Sequence, residues 1–141
     1  MLTIKNEDVL SADLLSIEEA KVLPRWILAN GDFWWLRSPG IRPDIAAGVI
    51  YGGAVDSGGD LVSYSEGAVR PTFTIKNLPK LRVGELVEVF GYMAQYIGGN
   101  RVLLCESVFK SMFDKKFNNY EKSYIKKRVD KWFKKERRDN G

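Results

Sequence analysis

The 141-residue chain contains no histidine. That removes the side chain that most often acts as general base near neutral pH, the centre of a Ser-His-Asp triad, and the commonest metal ligand. It has one cysteine, Cys105, so neither an intrachain disulfide nor a cysteine zinc site can form. Cys105 lies in the apolar stretch Val102–Cys105, where a thiol is usually inert packing. No run approaches the roughly 18 consecutive apolar residues of a membrane span. The opening MLTIKNEDVL carries charge where a secretory leader would be apolar, so a soluble intracellular protein is expected. There is no P-loop, no G-x-S-x-G and no dinucleotide fingerprint. Asp56 and Asp60 lack the D-x-[DN]-x-[DN]-G spacing of a calcium loop. No enzyme activity, metal or cofactor is therefore expected.

What is present suits one folded unit. Hydrophobic residues make up 45%, with Trp 4, Tyr 6 and Phe 7, enough for a core in a single domain spanning 1–141. Asn77-Leu78-Pro79 is a seam between a first half, 1–76, and a second, 80–141. The formal net charge of +4 conceals an asymmetry: residues 110–141 hold twelve Lys/Arg against five Asp/Glu, whereas residues 1–109 hold ten against thirteen. A basic tail on a mildly acidic body suits an anionic partner or, equally, a merely solvated helix face.

Local patterns place the elements. Ser16 followed by Glu19 is a capping box that opens a short helix over Glu18–Lys21, and Pro24 argues against a helix running through Val22–Trp26. Phe33–Arg37 reads as an apolar strand stopped by Ser38-Pro39-Gly40. Residues 41–68, rich in Gly, Ser and Tyr, suggest strands at Ala46–Tyr51 and Asp60–Tyr64, with Gly52-Gly53 and Gly58-Gly59 as turns. Val69–Ile75 alternates as one strand, and Leu86–Phe90, Tyr92–Ile97 and Arg101–Cys105 form a three-stranded meander. From Asn119 the pairs Tyr124/Ile125, Arg128/Val129 and Trp132/Phe133 recur every four residues and put an apolar stripe along one face, so the chain closes on an amphipathic basic helix. The fold class expected is α+β, a small twisted antiparallel sheet with one helix near the N-terminus and one at the C-terminus. Its core should hold Leu15, Trp34, Leu36, Val49, Val69, Phe73, Val87, Val89, Leu103, Ile125, Val129 and Phe133. Trp34 and Trp35, adjacent on a strand, should point to opposite faces. Arg37 and Arg70, beside Pro39 and Pro71, should fork onto carboxylate or carbonyl groups.

The string Trp34-Trp35-Leu36-Arg37-Ser38-Pro39-Gly40, followed by Gly67-Ala68-Val69-Arg70-Pro71, resembles a bacterial and phage domain of unknown function marked by WWLRSPG and GVRP. Ala68 departs from that pattern as an insertion. Tyr120-x-x-Ser123-x-Ile125-Lys126-x-x-Val129-Asp130-x-x-Phe133 and Asp13-Leu14-Leu15-Ser16-x-Glu18-Glu19-Ala20 also resemble pieces of the family. There, however, the first of these precedes the tryptophans; here it comes after them, as in a circular permutation. The resemblance implies a fold distantly like the C-type-lectin group, and a cytoplasmic role in a bacterial host cell as a phage or mobile-element accessory protein.

Three kinds of partner fit these patterns. A protein partner would meet the Gly/Tyr/Ser-rich middle through Arg42, Asp44, Tyr51, Asp56, Asp60, Tyr64 and Glu66. A host defence nuclease, or its nucleoprotein complex, would be the target of an inhibitor of the anti-CRISPR kind. A nucleic acid would be met by Lys126, Lys127, Arg128, Lys131, Lys134, Lys135, Arg137 and Arg138, with Tyr124 or Trp132 stacking on bases.

Overall fold

The computed structural model describes all 141 residues. In chain order they form β1 (Leu2–Thr3), β2 (Val9–Asp13), α1 (Ile17–Ala20), α2 (Arg25–Leu28), β3 (Trp34–Pro39), β4 (Ile45–Val49), β5 (Val55–Leu61) and β6 (Ala68–Val69). Next come β7 (Thr72–Ile75), β8 (Leu86–Val89), β9 (Tyr92–Gly98), β10 (Arg101–Leu104), β11 (Phe109–Lys110) and α3 (Tyr124–Asn140). The class is α+β, but the strands make two sheets rather than the single one expected. A six-stranded sheet runs β1-β8-β9-β10-β7-β2 and a five-stranded sheet runs β11-β6-β3-β4-β5. Only β1 with β8 and β3 with β6 pair in parallel.

The division arises at Arg70-Pro71. Pro71 has no N–H to give a ladder, so the run Val69–Ile75 is not one strand. β6 ends in the five-stranded sheet and β7 begins in the other. β7 then pairs with β2 on one side and β10 on the other, so the segments 1–76 and 80–141 share a sheet. The meander β8-β9-β10 is as the sequence predicts.

The middle segment differs from expectation. Its second strand is Val55–Leu61 rather than Asp60–Tyr64, and Gly58-Gly59 lies inside that strand instead of turning it. Gly59 sits opposite a register shift between Ala46 and Gly48, where a side chain would overlap the Ala46 carbonyl. Glycine there marks close backbone approach.

α1 is opened by the predicted capping box: Ser16 Oγ accepts from the Glu19 N–H and Glu19 Oε1 from the Ser16 N–H. Pro24 is the N-cap of α2, which explains why no helix runs through it. Glu19 also receives Arg37 at 2.8 Å, and Arg101 closes on its other oxygen. Partial burial would raise the Glu19 pKa, but the Ser16 N–H and the two guanidinium groups outweigh it and hold the carboxyl below its ordinary value.

The two tryptophans divide the interior. Trp34 packs with Leu15, Ile27, Leu28, Leu36, Val49 and Leu103, between the five-stranded sheet, the short helices and the inner face of β10. Trp35 points the other way, into Leu14, Val62, Val69, Phe113, Ile125 and Val129. A third cluster, with Val9, Phe73, Val87, Val89 and Val102, covers the other face of the six-stranded sheet. Eleven of the twelve expected core residues are buried. Phe133 is half-buried at the margin of this packing, against Phe73 and Phe90. α3 spans two of these clusters: Ile125 and Val129 enter the Trp35 side, while Trp132 and Phe133 pack on the six-stranded sheet. No helix is long and apolar enough to cross a membrane.

Gly67, which opens the second motif, has the Trp35 indole where a Cβ would stand. That indole donates to the Ser111 carbonyl at 2.8 Å. Gly67→Ala should therefore overpack the site and cost about 1–3 kcal/mol. Thermal melting should show a Tm lowered by several degrees; an unchanged Tm would contradict this packing.

Candidate nucleic-acid interface

The inward stripe of α3 fixes which way its other residues face. Tyr124, Lys127, Arg128, Lys131, Lys134, Lys135 and Arg138, three or four apart, run along the opposite side and share one face. With Phe109 of β11 and the outer edge of Trp132 they line a groove of about 710 Å³. Six of its nine lining residues are cations and none is a carboxylate.

Its start is held by an anchored helix terminus. Ser123 Oγ accepts from the Lys126 N–H at 3.1 Å, the Phe113 carbonyl from the Ile125 N–H at 2.9 Å, and Asp114 Oδ1 from the Tyr124 N–H at 3.1 Å. Burial would raise the Asp114 pKa, but the N–H groups of Phe117, Lys116, Tyr124 and Lys115 together hold it below its ordinary value. Within the groove, the Arg128 guanidinium lies 4.4 Å from the Phe109 ring centroid and 5.9 Å from that of Tyr124. It also donates to the Lys110 carbonyl at 3.1 Å. This charge is positioned before any ligand arrives.

Two of the eight predicted cations lie outside the groove. Lys126 turns to Asp130 at 3.0 Å, one helical turn along, and that hydrogen bond raises its pKa. Arg137 lies over Phe133 at 5.5 Å. Inside the groove Lys135 shares charge with Asp139 at 2.8 Å. Phe109, which sequence reasoning missed, arrives on a two-residue strand with no periodic pattern of its own.

The middle-segment candidates do not converge. Tyr51 is exposed at the tip of the β4–β5 hairpin. Arg42 and Asp44, paired at 3.2 Å, lie at the other end, with Asp60 opposite Ala46. The ends are separated by a five-residue strand, roughly 17 Å. Asp56 accepts from the Gly58 N–H and Asp60 from the Leu61 N–H, so both carboxylates shape the backbone of β5. Tyr64 packs edge-on near Phe33, and Glu66 is exposed. No group of three or more Cys, Asp or Glu is placed to hold a metal ion.

The motif residues are internal. Trp34 and Trp35 are both fully buried, while Pro39 is exposed at the end of β3. Arg37 forks onto the Leu14 carbonyl and Glu19. Arg70 is 1% exposed, lies 5.0 Å over the Trp34 ring and donates to the carbonyls of Leu104 at 2.6 Å and Leu28 at 3.2 Å. Burial lowers its pKa to about 10, against a smaller opposing effect of Cys105. Pro71 is buried beside it.

The chain matches no family model, no curated protein and no solved structure.

Because the folded-state pKa of Asp114 is depressed, its contribution to stability is present above its ordinary pKa of 3.8 and is lost as pH falls through the folded-state value. Asp114→Asn should be destabilising at neutral pH, by no more than about 0.5 kcal/mol because solvent screens this mostly exposed carboxylate. Its acid-unfolding curve should converge on that of the wild type at the lowest pH. A constant difference across the titration would show that the carboxylate does not anchor α3.

Proposed function

We propose that the protein is a non-enzymatic binding module that takes an anionic macromolecular partner along the cationic groove of α3. The observation that carries this reading is the segregation of charge. Six cations share a groove with no carboxylate among its lining residues. Two acids of the helix are engaged away from the groove, Asp130 with Lys126 and Glu136 with the Tyr92 hydroxyl, while Asp139 offsets part of the charge of the lining cations Lys135 and Arg138. Such a surface raises the local concentration of a polyanion and speeds its encounter.

The family resemblance adds a setting, a phage or mobile-element accessory protein in a bacterial cytoplasm with a lectin-like, circularly permuted core.

The test is binding to heparin, polyphosphate and an oligodeoxynucleotide across a salt series. If about four phosphates are neutralised, log K for the single strand should fall against log salt with a slope of about −3. Changing Lys127, Lys131, Lys134 and Lys135 to Glu should abolish binding while leaving Tm nearly unchanged, because these side chains are exposed. A flat salt response, or full binding by the reversed variant, would overturn the proposal.

A further inference from the structure

We propose, resting on the polyanion reading, that the ligand is single-stranded nucleic acid and that one of its bases stacks on a platform made by Tyr124, Arg128 and Phe109. Charge alone would serve any polyanion. The apolar floor is what separates the candidates. Phosphate groups gain nothing from Phe109, Tyr124 and Trp132, three rings set among the cations of the groove. An unpaired base has a flat π-face that does, and stacking of this kind is tolerant of sequence. In a duplex that face is covered by neighbouring base pairs and is not offered to the protein.

The platform is already ordered. Arg128 is held by Phe109 on one side and by the Lys110 carbonyl, and its planar guanidinium extends the stack toward Tyr124. Tyr124 is 41% exposed, so it is accessible from solvent. Trp132 is fixed from behind by stacking on Phe73, with 14° between the rings. From the platform, Lys127, Lys131, Lys134 and Arg138 continue along the helix for about 16 Å. That is enough for about four nucleotides, the short end of known single-strand sites.

The experiment compares a twelve-residue oligothymidylate with an abasic oligonucleotide of the same length and charge, a duplex, and polyglutamate. Binding is followed by fluorescence anisotropy on the wild-type protein. Oligothymidylate should bind about tenfold more tightly than the abasic strand. Tyr124→Ala and the charge-preserving Arg128→Lys should each weaken oligothymidylate severalfold toward the abasic level. Abasic binding should weaken far less, so the preference for the base-bearing strand should shrink in both variants. Equal binding of the abasic and base-bearing strands, or tighter binding of duplex or polyglutamate, would overturn the stacking proposal and leave the polyanion reading standing. Failure of every polyanion to bind would remove both. The wild-type comparison needs no variant, so a poorly folded mutant would not rescue the proposal.

Discussion

The division of one helix between two cores governs the rest of this molecule. Ile125 and Val129 close the Trp35 side of the five-stranded sheet, and Trp132 and Phe133 close the six-stranded sheet. Burying several large side chains contributes on the order of 1.5–3 kcal/mol each before entropy is counted. At its far end α3 adds the hydrogen bond from Tyr92 to Glu136 and ion pairs on exposed surface, the latter worth little individually. The apolar stripe thus both completes the interior and determines which residues face water. The cationic groove is the remainder of that choice.

The tryptophan-rich motif serves the same end. Adjacent strand residues face opposite ways, so two consecutive tryptophans supply the centres of two cores from one strand. Around them the small residues and the arginines are fitted. Gly67 makes room for one indole, and Arg70 lies over the other while satisfying two carbonyls on separate elements. A guanidinium buried without a carboxylate is costly. Here it ties the end of α2 to the end of β10 at the point where the chain passes between sheets.

Much of this could be read from the residues. The capping box, the meander, the opposed facing of the two tryptophans, the forked role of Arg37 and the inward stripe of α3 each obey a local rule with a short range. What escaped the sequence was long-range. Nothing near Val69–Ile75 except Pro71 hints that the strand changes sheets, and no pattern gives the partner of either piece. The hairpin was misplaced because paired glycines usually mark turns, whereas Gly59 serves a close backbone approach that only the neighbouring strand reveals. The groove was legible as a list of cations but not as a shape. Lys126 and Arg137 belong to the same helix yet lie outside the groove, and Phe109 reaches it from a distant segment.

The anchored terminus at Ser123 and Asp114 carries a further meaning for how such a chain can change over generations. Each residue inserted into a helix rotates the remainder of that helix by about 100°. A single insertion just after Ser123 would carry Arg128 and Lys131 into the positions of Val129 and Trp132 and turn Val129 out toward solvent, whereas substitutions among the outward lysines leave the packing untouched. The charged face is free to vary in composition while its angular phase is locked, so drift can change its charge without endangering the fold.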